Sequence, residues 1–182
     1  MRVVAGELGG RRLIAPGGTT TRPTTDRVRE AIFNSLGSAG LLEGAVVADL
    51  FAGSGAVGIE ALSRGAARCI FVERERAALR ALDENLDALG LRDRSKVISA
   101  DAVSAAASID ADIVVADPPY DFDRWTDLLE RIGADLVVAE SGAVIEPPPG
   151  WTVWRDKRYG RTRVTFLERD LPGDGTVGSG AP

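Results

Sequence analysis

Short apolar runs alternate with segments of helical spacing through the middle of the chain, and this alternation constrains the fold more than any other feature. The apolar runs are residues 46–50, 70–72, 97–98, 112–116 and 136–138. Helical spacing covers residues 57–64, 77–89 and 125–132. Strands that are apolar throughout belong to parallel sheets covered by helices on both faces. The sequence therefore predicts an α/β fold with a doubly wound, mostly parallel sheet in the strand order 3-2-1-4-5.

Hairpin patterns flank this core at both ends. Strand-like runs at residues 2–6 and 11–15 predict an N-terminal β-hairpin. Strand patterns at residues 151–157 and 163–167 surround Tyr-Gly-Arg at residues 159–161, which is typical of a second hairpin. That hairpin would complete a seven-stranded sheet with an antiparallel edge.

The length of 182 residues fits one domain with small additions. We expect an N-terminal hairpin and basic extension over residues 1–24 and the main domain over residues 25–169. A helix should begin at Thr24 or Thr25, because either residue can cap it. Residues 170–182 are rich in Gly, Pro, Ser and Asp, and we expect this tail to be disordered.

The composition excludes several kinds of chemistry. The chain has no histidine, which excludes a Ser-His-Asp triad, a His general base and a His-ligated metal site, so no metal is expected. The single cysteine, Cys69, lies in an apolar run and is interpreted as a core residue of a protein in the reducing cytoplasm. No apolar run reaches the length of a transmembrane helix, and no signal peptide is expected.

Charge is distributed unevenly along the chain, although the net charge is −5. Residues 1–30 carry a net +3 and residues 151–169 a net +4, whereas residues 31–150 carry −10. Arginines clustered at both ends of an acidic body are typical of contact with nucleic-acid phosphates.

A glycine-rich loop follows the first predicted strand. Residues 49–58 read Asp-Leu-Phe-Ala-Gly-Ser-Gly-Ala-Val-Gly, in which the glycines let a ligand approach the backbone closely. Glu73 lies twenty residues after Gly53, where it can bind ribose hydroxyls. A dinucleotide and S-adenosylmethionine both remain candidate ligands, but the Asp49 charge would disfavour a pyrophosphate. The candidate cofactor-binding residues of the loop are Asp49, Phe51, Ala52, Gly53, Ser54 and Gly55.

Asp-Pro-Pro-Tyr at residues 117–120 ends the fourth predicted strand. The prolines remove two backbone donors and hold the chain extended. The Asp117 carboxylate and the Pro118 carbonyl would then accept hydrogen bonds from an amino group on a planar ring stacked on Tyr120. A nucleobase carries such a group.

The two motifs should meet across one crevice. In the order 3-2-1-4-5 the first and fourth strands are neighbours where the order reverses, and ligands of doubly wound sheets bind at that point. Asp101, with Ala102 after it, follows the third strand and could accept a hydrogen bond from an adenine amino group or cap a helix.

With these motifs, the chain resembles Rossmann-like methyltransferases that modify exocyclic amino groups, and over residues 2 to 169 it resembles the RsmD-type 16S rRNA guanine-N2 methyltransferases. The Arg-Pro-Thr segment at residues 22–24 is the most discriminating part of the match. The matching stretches are residues 2–6, 22–30, 49–55, 60–65 and 117–120.

The resemblance implies transfer of a methyl group from S-adenosylmethionine to guanine N2 of 16S rRNA, within the 30S subunit or an assembly intermediate, by a cytoplasmic monomer. The catalytic residues would be Asp117, Pro118, Pro119 and Tyr120. The substrate-binding residues would be Arg11, Arg12, Arg22, Thr24, Arg158 and Arg161. Further candidates for phosphate contacts are Arg155, Lys157 and Arg163.

Three alternatives remain open from the sequence. Asp-Pro-Pro-Tyr also suits adenine N6 in DNA or RNA, since the geometry requires only an amino group, and a protein side-chain amide is a further target of the same kind, although that reaction more often goes with Asn in place of Asp117. The second alternative is a non-catalytic RNA-binding module, which is disfavoured by the intact glycine loop together with Asp117 and Glu73. The third is a nicotinamide oxidoreductase, which is disfavoured by the charge of Asp49.

Overall fold

The computed structural model describes residues 1–16 and 26–170. The predicted helix start at Thr24 or Thr25 and nearly all of the predicted tail lie outside the described residues. The helices are α1 (Asp26–Ser38), α2 (Ala56–Ser63), α3 (Arg76–Leu89), α4 (Ala102–Ala106) and α5 (Trp125–Arg131), with a short 3-10 helix at Arg92–Arg94. The strands are β1 (Val46–Leu50), β2 (Arg68–Glu73), β3 (Ser95–Ser99), β4 (Ile113–Ala116), β5 (Leu136–Ser141), β6 (Trp151–Tyr159) and β7 (Thr162–Arg169).

The seven strands form one sheet in the order β3-β2-β1-β4-β5-β7-β6. The first five pair in parallel, and β7 pairs antiparallel with both β5 and β6. This confirms the predicted doubly wound sheet with an antiparallel edge. The order reverses between β1 and β4, so the crevice between their carboxyl ends is the expected ligand site.

Helices cover both faces of the sheet because alternate strand residues point to opposite sides. On one face, α1 and α2 pack on Val47, Val115 and Val138, and α3 packs beside α2 on Phe71. On the other face, α4 and α5 pack on a layer that includes Leu50. The described helices do not include one long and apolar enough to span a bilayer.

The N-terminal residues pack against α2 rather than forming two regular strands. The predicted hairpin is present but short: the Val3 N–H donates to the Arg11 carbonyl and the Leu13 N–H to the Met1 carbonyl, both at 3.0 Å, on either side of an antiparallel bridge between Arg2 and Arg12. The backbone N–H groups of Val4 and Ala5 donate to the buried Glu60 carboxylate, at 2.7 and 3.0 Å. These hydrogen bonds attach the N-terminal segment to α2.

Glu60 also joins two arginines to this arrangement. The Arg64 Nε donates to Glu60 at 2.6 Å, and the Arg29 Nε lies 3.5 Å from the same carboxylate. Arg29 is fully buried and donates to the Arg2 carbonyl at 2.6 Å. A buried charge is stable only when it is paired and hydrogen-bonded, so this cluster fixes α1, α2 and the N-terminal segment to one another.

Gly58 is the position where α2 approaches the sheet most closely. A Cβ at Gly58 would lie 2.3 Å from Phe71 Cε1 and 2.5 Å from Cys69 Sγ.

We expect Gly58→Ala to lower the free energy of unfolding by about 1–3 kcal/mol through overpacking. The matched control is Gly37→Ala in α1, where a Cβ would meet nothing within 4 Å. This substitution should raise the free energy of unfolding by about 0.5–1 kcal/mol. Denaturant unfolding measures both, and equal effects of the two substitutions would contradict the packing argument.

Candidate active site

The loop between β1 and α2 contains three residues in the left-handed region: Phe51, Gly53 and Gly55, with φ of 68°, 56° and 84°. The glycines differ in what surrounds them. A Cβ on Gly55 would lie 2.4 Å from Leu82 Cδ1, whereas a Cβ on Gly53 would meet nothing within 4 Å. Gly55 therefore serves packing, while Gly53 exposes its backbone to the space where a ligand can approach. Phe51 is not a glycine, and its conformation stores strain of the kind found at functional sites.

Glu73 ends β2 and fixes this loop. Its carboxylate accepts the backbone N–H groups of Gly53 at 2.8 Å, Arg74 at 2.7 Å and Glu75 at 2.8 Å. Glu73 is therefore in direct contact with the glycine loop. Because a carboxylate offers about four lone-pair sites, it retains capacity for one further donor.

Asp49 is the penultimate residue of β1 and lies beneath the loop. Its side chain is buried and accepts the Gly58 backbone N–H at 2.8 Å. Burial, with the negative charges of Asp117 and Glu73, raises the pKa of Asp49 to about 7, although the Gly58 hydrogen bond and Arg29 oppose this. Asp117 and Glu73 therefore interact electrostatically with Asp49, and a positive charge placed among the three carboxylates would reduce their repulsion.

Asp117 and Pro118 follow β4 directly and are half-buried. Among the described residues, no hydrogen bond reaches the Pro118 carbonyl, while the Pro119 carbonyl accepts the Phe122 N–H at 3.0 Å in a turn. Tyr120 is 64% exposed. Its Cδ1 lies 3.5 Å from where a Cβ of Gly142 would stand, so the ring lies over the glycine that follows β5.

Three aromatic rings connect the two loops. Phe51 and Phe122 meet edge to face with 5.2 Å between ring centroids, and Phe122 meets Trp125 at 5.1 Å. The strained glycine loop is therefore braced by the segment that follows Asp-Pro-Pro-Tyr. Sequence reasoning missed this link, and the available signal was the pair of aromatics closely following residue 120.

Asp101 is the N-cap of α4, which supports the capping alternative. Its carboxylate accepts the Ser104 backbone N–H at 3.0 Å. That hydrogen bond, then the Ser104 hydroxyl and the nearby Arg124 and Arg74, hold the pKa of Asp101 below its usual value. Ala102 follows as the buried first residue of α4. Capping uses one Asp101 oxygen, and the second lies 3.6 Å from an Arg74 guanidinium nitrogen.

The structure separates the predicted substrate-binding arginines. Arg158 and Arg161 lie at the β6–β7 turn, where β6 ends beside the carboxyl end of β5. Arg11 instead donates to the Ala88 carbonyl, at the end of α3 remote from the glycine loop, and Arg12 pairs with Arg2. Arg22 and Thr24 lie outside the described residues.

Asn85 on α3 is a further residue that sequence reasoning missed. Its amide nitrogen donates to the Ser54 carbonyl at 2.9 Å and to the Ile14 carbonyl at 3.0 Å, and its oxygen accepts the Ile14 N–H at 2.8 Å. Asn85 thereby joins the glycine loop to the N-terminal segment. An Asn among the leucines of an amphipathic helix gave no sign of this role.

The donor set of the site fits S-adenosylmethionine. The side chains at the crevice offer hydrogen-bond acceptors and negative charge, from Glu73 and Asp117, with the buried Asp49 beneath them. Ribose hydroxyls and an ammonium group need such acceptors, and a sulfonium is stabilised by the negative charge. The same carboxylates would repel a pyrophosphate, which disfavours a dinucleotide.

The fold and this site define a Rossmann-like methyltransferase. The chain belongs to the family described as Conserved hypothetical protein 95, whose model matches residues 1–168. Ribosomal RNA small subunit methyltransferase D of Escherichia coli K12 is 36% identical, covering 96% of this chain and 92% of the relative. YlbH of Bacillus subtilis is 42% identical, covering 93% of this chain and 99% of the relative. The predicted resemblance to RsmD-type enzymes is confirmed.

Solved structures agree with this assignment. The Escherichia coli protein yhhF matches with a TM-score of 0.81 and 35% identity, covering 93% of this chain and 98% of that chain. An RNA methyltransferase of Salinibacter ruber, solved in complex with S-adenosyl-L-homocysteine, shares the fold with a TM-score of 0.61 and 21% identity, covering 84% of this chain and 98% of that chain.

Asp49 should make the stability of the ligand-free protein depend on pH. The pKa of about 7 in the folded state lies above the unfolded value. The contribution of Asp49 to the free energy of unfolding is therefore most favourable below pH 4, where it is protonated in both states, and is lost as pH rises through 7. Between pH 5 and 8, wild type should lose about 2–3 kcal/mol more than Asp49→Asn, because each pKa unit corresponds to about 1.4 kcal/mol. Urea unfolding across this range measures the difference, and parallel curves for the two proteins would contradict the assignment.

Proposed function

We propose that the protein transfers a methyl group from S-adenosylmethionine to the exocyclic N2 of a guanine in 16S rRNA. The observation that carries the proposal is the position of the Asp117 carboxylate and the Pro118 carbonyl. Both follow β4, directly beside the glycine loop that follows β1. Two acceptors at this point can bind both protons of one amino group.

The cofactor would be held by the acceptors that line the crevice. Bound S-adenosylmethionine supplies an electrophilic methyl group on a positively charged sulfur. Glu73 would accept one ribose hydroxyl with its remaining lone pair, and the Asp101 oxygen that does not cap α4 would accept a hydrogen bond from the adenine amino group. The open side of Gly53 gives the ligand close access to the backbone.

Asp117 and Pro118 would orient the nucleophile. The lone pair of guanine N2 is delocalised into the ring, so this nitrogen is a weak nucleophile. Hydrogen bonds from its protons to the carboxylate and the carbonyl localise the lone pair and aim it across the crevice. The methylated amine is strongly acidic and can lose its proton to Asp117 or to water, so Asp117 acts first as an orienting group and second as a base.

Tyr120 would stack on the target base. Its ring is largely exposed and lies over Gly142 at the mouth of the crevice. Stacking of a base on an aromatic ring contributes roughly 1–3 kcal/mol by alanine substitution. A base turned out of its surroundings would thus be held by the ring while its amino group faces Asp117.

The rRNA substrate rests on the relatives and on the placement of charge. The name of the E. coli relative specifies small-subunit ribosomal RNA. Arg158 and Arg161 lie at the end of the sheet where the active site lies, and there they can contact phosphates. We expect the substrate to be the 30S subunit or an assembly intermediate and the enzyme to be a cytoplasmic monomer. Residues 1–24, with Arg22 and Thr24, would act as a substrate-binding extension of the domain at residues 25–169.

The role of Asp117 can be tested by substitution. We expect Asp117→Ala to lower kcat by about 10²–10³-fold or more, because the orienting acceptor is lost, while calorimetric affinity for S-adenosylmethionine changes only a few-fold. The matched control is Asp121→Ala, an exposed aspartate in the same loop, which should retain near-parental activity. Activity of Asp117→Ala within a few-fold of wild type would contradict the orienting role.

The class of substrate is tested with labelled S-adenosylmethionine. The protein is incubated separately with 30S particles, naked 16S rRNA and double-stranded DNA. Label should enter the rRNA, free or in particles. Incorporation into DNA with none into rRNA would overturn the proposal.

A further inference from the structure

A groove runs between α1 and the edge strand β6, on the face of the sheet that α1 covers. It consists of two adjoining cavities of about 510 and 310 Å³, which share Tyr159. On one side lie α1 residues from Arg27 to Ser38, and on the other lies β6 from Trp154 to the turn at Gly160. We call this feature the α1–β6 groove.

The charge of the groove is opposite to that of the chain. Its described lining includes Arg27, Arg155, Lys157 and Arg158 and no aspartate or glutamate, whereas the whole chain has a net charge of −5. A low-lying basic strip in an acidic protein attracts a polyanion and repels most acidic protein surfaces. Phosphate groups are therefore the favoured ligand chemistry.

The groove also presents aromatic side chains beside oriented cations. Trp154 meets Phe166 edge to face at 5.4 Å, and the Arg155 guanidinium lies 5.1 Å from the Trp154 ring centroid. Arg155 also donates to the Ser35 hydroxyl at 3.2 Å. Arg155 is thereby held in place with donors to spare, and an exposed ring such as that of Trp154 next to a fixed cation is typical of surfaces that bind unpaired nucleotides.

The groove opens at the end of the sheet where the active site lies, beside the carboxyl end of β5. Ser141 at the end of β5 pairs with Arg163 of β7, which pairs with Arg158 of β6. Two strand spacings separate Ser141 from Arg158, about 10 Å. From this end of the sheet the groove follows α1, whose 13 residues extend about 20 Å. One strand could therefore pass from the crevice into the groove.

We propose that the α1–β6 groove binds single-stranded RNA that flanks the target nucleotide. This inference rests on the proposed function, because it assigns the docking path of the same substrate. Phosphates would contact Lys157, Arg155 and Arg27, and a base would stack on Trp154. Duplex RNA hides its bases and gives the rings no partner, and a second copy of the chain would bring an acidic body against this strip.

The chain carries its own control for a protection experiment, because Lys157 and Lys96 are its only lysines. Both are exposed, and they lie on the opposite edge strands β6 and β3. Acetylation of the intact protein is followed by mass spectrometry, with and without a single-stranded rRNA fragment. The proposal predicts at least about 5-fold slower acetylation of Lys157 with unchanged Lys96. Equal protection of both lysines, equal protection by a duplex of the same sequence, or protein-concentration-dependent protection without RNA would overturn it.

Matched substitutions test the effect on turnover. We expect Lys157→Glu and Trp154→Ala to raise KM for rRNA at least about 5-fold, with kcat and the Kd for S-adenosylmethionine within 2-fold of wild type. Lys96→Glu makes the same change of charge on the other edge and should leave KM within 2-fold. A KM for Lys157→Glu equal to that for Lys96→Glu would overturn the groove while leaving the proposed activity intact. Absence of methyl transfer to rRNA by wild type would instead overturn the proposed function, and the acetylation pattern would still report on the groove.

Discussion

The site depends on bringing three carboxylates together at the carboxyl ends of adjacent parallel strands. Asp49, Glu73 and Asp117 lie at or next to the ends of β1, β2 and β4, and burial of Asp49, with the negative charges of Asp117 and Glu73, raises its pKa. The backbone offsets part of this cost, because Gly58 donates to Asp49 and three amides donate to Glu73. A cationic ligand in the crevice would offset more of it. The negative potential thus favours a sulfonium donor over a pyrophosphate before any specific contact is considered.

The glycines of the loop divide between packing and ligand access. Gly55 and Gly58 allow the loop and α2 to approach Leu82 and Phe71, and side chains there would collide with the core. Gly53 faces open space, so its missing side chain serves the ligand. A single glycine-rich pattern therefore encodes a rigid support and an accessible surface. The aromatic contact of Phe51 with Phe122 then joins this support to the loop that carries the amino-group acceptors.

Much of the fold was predictable because its signals are local. Apolar strands, helical spacing and the glycine at residue 160 each report on a few neighbouring residues, and the parallel sheet and its antiparallel edge were confirmed. Glu60 and Asn85 were not predicted to have structural roles, since a polar residue on a helix looks the same whether it faces water or a distant backbone. The N-terminal hairpin is present but shorter than predicted, and its first segment is also hydrogen-bonded to Glu60. The sequence could not decide whether Asp101 caps a helix or binds a ligand, because an aspartate between a strand and a helix is compatible with both roles.

Substrate choice follows from what lies around the acceptors rather than from the acceptors themselves. Asp117 and Pro118 require only an amino group, so guanine N2 and adenine N6 both satisfy them, and the choice of guanine remains our proposal. The most direct measurement is to label small-subunit rRNA with the purified enzyme, digest it to nucleosides and separate the products. The account predicts label in N2-methylguanosine. Label in N6-methyladenosine would contradict it.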